Sequence, residues 1–98
     1  MDGTVETGAP IRRAFAIVNR RGLHARAAAK FVKCVQAFDA RVMVAKDGVE
    51  VSGLSIMGLM MLAAGIGSAI EVAAEGREAG AVMDALARLI EARFDEQD

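Results

Sequence analysis

The residue best suited to covalent chemistry is the only histidine, His24, which follows Gly22 where a predicted loop becomes a helix. The first turn of a helix favours an anion, because it has unpaired backbone N–H groups and the positive end of the helix dipole. The same field keeps an imidazole neutral and nucleophilic. With Arg26 as a charge-assisted donor, the arrangement suits a phosphoryl group on the ring. Alternatively, His24 only begins the helix and Arg26 is a solvated charge.

The elements that must position His24 follow from hydrophobic periodicity and turn signals. The predicted strands cover residues 13–18, 41–46, 49–52 and 69–73. The predicted helices cover residues from about 24 to 38, 55 to 62 and 82 to 94. The order β-α-β-β-α-β-α predicts an α+β fold, an open-faced β-sandwich in which a four-stranded antiparallel sheet carries three helices on one face.

Composition excludes several classes of function. A formal net charge of −1 is too balanced for general nucleic-acid binding, which depends on a basic excess. With no Trp or Tyr and only 4 Phe, the chain also lacks an aromatic platform for stacked bases. No side chains have metal-ligand spacing, so we expect neither a metal nor a cofactor.

Cysteine usage and the N-terminus indicate a compartment. Cys34 is the only cysteine, which excludes an intrachain disulfide and fits buried packing in a reducing environment. The acidic N-terminus does not have the pattern of a secretory signal, so we expect a cytoplasmic protein. We further expect a flexible N-terminal extension over residues 1–11 and a single domain over residues 12–98.

Residues 51–70 contain no charged side chain and are long enough to cross a bilayer. Four glycines and three serines interrupt them, however, and no basic residue flanks them closely. The glycines fit a strand, a short helix and a loop better than a membrane-spanning helix. We therefore predict no membrane insertion.

The string Gly-Leu-His-Ala-Arg-Ala-Ala at residues 22–28 resembles the active-site motif of HPr, the histidine phosphocarrier of the phosphoenolpyruvate-dependent phosphotransferase system (PTS). The resemblance extends over nearly the whole chain after the N-terminal extension. The element order matches, Ser55 heads the second helix, and Glu75-Gly76 closes the fourth strand. It implies a monomeric HPr-like domain that carries a phosphoryl group covalently and is not an enzyme with free substrates.

The resemblance also implies roles for particular residues. His24 matches the histidine phosphorylated on its δ nitrogen, Arg26 the arginine that supports the phosphoryl group, and Ser55 the regulatory serine. The implied partners are phosphorylated enzyme I as donor, a IIA-type acceptor of the sugar-uptake or nitrogen-related branch, and HPr kinase/phosphorylase. Ala27 stands where the family usually has proline, which leaves partner preference and phosphohistidine lifetime open.

The second predicted helix is apolar almost all round, which indicates a docking surface. Leu59 and Leu62 can face the core, leaving Ile56, Met57 and Met60 for a partner. These three residues also match the family's docking positions. Methionine adapts to several partner shapes, although irregular cores use it as filler too.

Arg26, Lys30 and Lys33 recur at helical spacing and form a basic stripe on the first predicted helix. Beside His24, such a stripe can steer acidic partners; otherwise it is a solvated helix face. Ser55 suits a helix N-cap whether or not a kinase modifies it. The alternative function is a small α+β regulatory binding module in which His24 is structural and accepts no phosphoryl group.

Overall fold

A computed structural model describes residues 10–96. In chain order the elements are β1 (Ile11–Ala16), α1 (Ala25–Gln36), β2 (Arg41–Lys46), β3 (Val49–Ser52), α2 (Ile56–Met61), β4 (Ala69–Glu75), α3 (Ala79–Glu91) and a closing 3-10 turn (Arg93–Asp95). The predicted order β-α-β-β-α-β-α is confirmed.

The four strands form one antiparallel sheet in the order β1-β4-β2-β3. Its register places Phe15 opposite Ile70, and Val72 opposite Val44. Because side chains alternate between the two faces of a sheet, all four of these residues lie on the same face, and all are buried. The sheet therefore has one face in the core, as an open-faced sandwich requires.

The helices complete the core over this face. Phe31 of α1, Leu59 of α2 and Leu86 of α3 are each fully buried, together with the apolar side chains of the sheet. Such interlocking burial is the main stabilising contribution in a domain of this size. The predicted α+β sandwich, with a four-stranded antiparallel sheet and three helices, is confirmed.

The bounds of several elements differ from the prediction. β1 ends at Ala16 where the sequence predicted 18, and β4 extends to Glu75 where the sequence predicted 73. α1 and α2 are each shorter than predicted at both ends, and α3 begins at Ala79, ahead of the predicted 82.

β1 begins at Ile11, where the sequence predicted 13, because its pairing with β4 extends to Ile11 opposite Ala74. α3 ends at Glu91, short of the predicted Phe94, because Phe94 has left-handed backbone angles (φ 53°). Residues 1–9 of the predicted extension lie outside the described residues. Across residues 10–96, no helix has both the length and the apolar character needed to traverse a bilayer.

Candidate functional site

The loop between β1 and α1 holds His24 in place. Gly22 has a left-handed backbone (φ 66°) and is buried, and a Cβ there would overlap the carbonyl oxygen of Ala64. The next residue, Leu23, is buried and donates its N–H to the same Ala64 oxygen at 2.9 Å. The loop before His24 is thus fixed against the loop after α2.

His24 is the N-cap of α1, with extended backbone angles (φ −75°, ψ −179°). Its Nδ1 accepts a hydrogen bond from the Arg26 N–H at 3.2 Å, and its carbonyl accepts from the Ala28 N–H at 2.8 Å. A ring nitrogen that accepts an N–H carries no proton, so this geometry assigns the proton of a neutral ring to Nε2. With 20% of its side chain exposed, His24 offers an unprotonated Nδ1 at a helix N-terminus.

Sequence reasoning missed two residues of this site, Asn19 and Glu96. Buried Asn19 donates from Nδ2 to the Gly22 carbonyl and to Glu96 Oε1, both at 2.8 Å. Glu96 Oε2 accepts from the Arg21 N–H at 3.2 Å, and Glu96 Oε1 lies 3.4 Å from His24 Nε2. Glu96 is 77 residues from Asn19 along the chain, so no local pattern indicates this contact.

These contacts favour the ionised form of Glu96. The hydrogen bond from Asn19 lowers the pKa of its carboxyl most, and the Arg21 N–H and His24 lower it further, while desolvation acts in the opposite direction. Glu96 is therefore a carboxylate at neutral pH. The negative charge of Glu96 therefore lies beside Nε2 of His24, on the side of the ring away from the start of α1.

The basic stripe is only partly free for a partner. Arg26 and Lys33 are exposed, as a steering role requires. Lys30 instead donates from Nζ to the Phe94 carbonyl at 3.0 Å and lies 3.5 Å from Asp95 Oδ2. Lys30 thus also ties α1 to the C-terminal turn.

Ser55 and α2 adopt the geometry that the sequence indicates. Ser55 Oγ accepts from the Gly58 N–H at 2.9 Å, so the N-cap prediction is confirmed. Leu59 and Leu62 are buried, whereas Ile56 and Met60 are exposed.

Met57 is 72% exposed, and Met61, which sequence reasoning did not single out, is 74% exposed. We name the exposed side chains on and around α2 the α2 patch; it comprises Leu54, Ile56, Met57, Met60, Met61 and Ile66. The loop after α2 is hydrogen bonded to the loop that precedes His24. The patch therefore belongs to a segment that is fixed to the His24 loop.

Cys34 is partly buried and packs against the core, in agreement with a packing role. Burial raises the pKa of its thiol, an effect that the positive charge of Arg88 partly offsets. The thiol is therefore protonated at neutral pH and is a poor nucleophile. Cys34 therefore does not compete with His24 as a nucleophile.

Comparisons with known proteins show which family the chain resembles. A protein-family model described as the PTS HPr component phosphorylation site matches residues 11–92. Phosphocarrier protein HPr of Treponema pallidum is 41% identical over 81 residues, which cover 83% of this chain and 92% of that protein. Phosphocarrier protein NPr of Shewanella violacea is 38% identical over 86 residues, with coverage of 88% and 94%.

Solved structures with a similar fold belong to the same group of proteins. The crystal structure of HPr-C-His from Thermoanaerobacter tengcongensis has a TM-score of 0.84 and 38% identity, and the match covers 90% of this chain and 99% of that one. The family match spans all four strands and the three helices, including the His24 loop. The chain therefore belongs to the HPr family of phosphocarrier proteins.

Proposed function

We propose that this chain accepts a phosphoryl group on His24 Nδ1 from phosphorylated enzyme I and passes it to a IIA-type protein of the PTS. The observation that carries the proposal is the position of His24 Nδ1 at the N-terminus of α1, where it accepts the Arg26 N–H. Family membership supports the same chemistry. We propose that the protein acts as a cytoplasmic monomer.

Groups at this end of α1 take part directly in the transfer. The Nδ1 lone pair forms the new bond to phosphorus, while the bond from phosphorus to the donor breaks and leaves its electron pair on the donor. Displacement of the Arg26 N–H from Nδ1 frees that donor for a phosphoryl oxygen. The positive end of the helix and the exposed guanidinium of Arg26 offset the added charge.

Incubation of the purified chain with phosphoenolpyruvate and enzyme I tests the proposal. Intact mass should rise by one phosphoryl group, and the increment should disappear in acid, as expected for a phosphorus–nitrogen bond. Adding IIA proteins of the sugar-uptake and nitrogen-related branches separately then identifies the acceptor. No increment, with an enzyme I that is active on a control HPr, would contradict the proposal and favour a binding module with a structural His24.

We propose that enzyme I and the acceptor dock on the α2 patch, with Arg26, Lys30 and Lys33 steering acidic surfaces toward His24. Ile56, Met57 and Met60 are the predicted contacts, and all three are exposed. Exposed apolar side chains on a segment fixed to the His24 loop support this assignment. Because Lys30 also binds the Phe94 carbonyl, Lys33 is the freer of the two lysines.

Met57→Asp is expected to raise the KM for enzyme I about tenfold or more, because a charge would replace an exposed apolar anchor in a desolvated contact. The free energy of unfolding should change by less than about 0.5 kcal/mol, since Met57 is a surface residue. Initial rates at varied enzyme I concentration measure the effect. Val49→Asp is the matched control, because Val49 is also exposed but lies at the Asp47-Gly48 hairpin. Equal KM values for the two variants would contradict docking on the α2 patch.

We propose that Ser55 is also a site of regulatory phosphorylation by HPr kinase/phosphorylase. Ser55 is partly exposed and adjoins Ile56 of the α2 patch. A phosphoryl group there would add about two negative charges beside an apolar docking surface. Its effect would therefore be to weaken docking and to slow phosphorylation of His24.

A further inference from the structure

The C-terminal turn has an unusual backbone conformation. After α3, three consecutive residues have left-handed angles: Arg93 (φ 60°), Phe94 (φ 53°) and Asp95 (φ 58°). None of them is glycine, so each adopts an unfavourable conformation because of its Cβ atom. Contacts elsewhere must hold this turn in place.

Four contacts hold it. Phe94 is only 2% exposed, and its carbonyl accepts from Lys30 Nζ at 3.0 Å. The carboxylate of Glu96 accepts from Asn19 Nδ2 at 2.8 Å through one oxygen and from the Arg21 N–H at 3.2 Å through the other. The turn is thus fixed to α1 and to the loop before His24, and Glu96 is oriented by two donors.

This orientation places Glu96 at the ring of His24. Glu96 Oε1 lies 3.4 Å from Nε2, which is shielded from solvent and has no hydrogen-bond partner among residues 10–96. The other ring nitrogen, Nδ1, accepts the Arg26 N–H. The ring therefore lies between a backbone donor on its Nδ1 side and a carboxylate on its Nε2 side.

We propose that Glu96 is a positioning residue for phosphoryl transfer, holding the proton of His24 on Nε2 so that Nδ1 keeps its lone pair for phosphorus. The proposal rests on the proposed function. As Nδ1 bonds to phosphorus and the donor–phosphorus bond breaks, the proton stays on Nε2 and the ring gains a positive charge. The carboxylate of Glu96 offsets this charge at the atom opposite the new bond.

Glu96→Gln tests the proposal, because it removes the charge and keeps an oxygen that can accept from Asn19. With phosphorylated enzyme I as donor, we expect kcat for acceptance to fall about tenfold, the loss of one charge-assisted contact, while KM changes less than about twofold. In ¹⁵N NMR spectra of the free protein, the preference of the His24 ring for a proton on Nε2 should weaken, because only the Arg26 N–H at Nδ1 then favours that tautomer. Glu91→Gln removes an exposed carboxylate at the end of α3 and should leave the rates and the ring spectrum at wild-type values.

Two outcomes would overturn the proposal. One is a wild-type kcat in Glu96→Gln; the other is a lower kcat with an unchanged ring spectrum, which would assign Glu96 to contact with the donor instead. Failure of the proposed function is distinguishable, because the wild type would then accept no phosphoryl group. The ring spectrum of the free protein would still decide the role of Glu96.

Discussion

His24→Ala is expected to abolish phosphoryl acceptance, with a rate at least about 10³-fold below wild type, because the variant lacks the nucleophile. The change also removes the hydrogen bond from the Arg26 N–H, which costs about 1 kcal/mol of stability. Loss of acceptance in His24→Ala can therefore come from the missing nucleophile or from the lower stability of the variant. Incubation with phosphoenolpyruvate and enzyme I, followed by intact mass at timed intervals, measures the rate.

His24→Asn separates the two effects. Asparagine is among the best N-cap residues, so its side-chain oxygen can accept the N–H that His24 Nδ1 accepts. The variant should unfold at the same urea concentration as the wild type, within error, and still accept no phosphoryl group. An acid-labile mass increment on His24→Asn would mean that another residue accepts the phosphoryl group. It would contradict the assignment of His24 as the acceptor.

Local patterns were enough to predict where several elements begin or end. The Asp47-Gly48 turn, in which both residues have positive φ, predicts the hairpin between β2 and β3, and both strands have the predicted bounds. Ser55 predicts the start of α2 in the same way, because an N-cap depends on residues within one turn. His24 could likewise be placed at the start of α1, since Gly22 and the following periodic residues are neighbours in sequence.

Contacts between distant segments could not be predicted. The pairing of β1 with β4 sets where β1 begins, and nothing near Ile11 indicates it. The predicted last helix includes Phe94, whose side chain is buried but reaches the core through a left-handed turn. The position of the Glu96 carboxylate beside His24 depends on that turn. The sequence therefore identified the nucleophile but not this second residue of the site.

Gly22→Ala is expected to lower the free energy of unfolding by about 2–4 kcal/mol, more than a surface substitution would. Part of this loss, about 1–2 kcal/mol, comes from a Cβ on a left-handed backbone at φ 66°. The rest comes from overlap of that Cβ with the Ala64 carbonyl and with Gly65 Cα at 2.8 Å, both backbone atoms that cannot rotate away. Urea unfolding monitored by circular dichroism gives the value.

Gly48→Ala provides the matched control, because Gly48 also has a left-handed backbone (φ 82°) but a Cβ there would meet no atom within 4 Å. It should lose only the conformational part, about 1–2 kcal/mol, and accept the phosphoryl group at the wild-type rate. Gly22→Ala should accept it more slowly even where it is fully folded, because relief of the overlap moves the loop that holds His24. Equal stability losses in the two variants would show that the loop before His24 can move away from Ala64 at little cost. His24 would then be held by its own N-cap geometry and not by contact between its loop and the loop after α2.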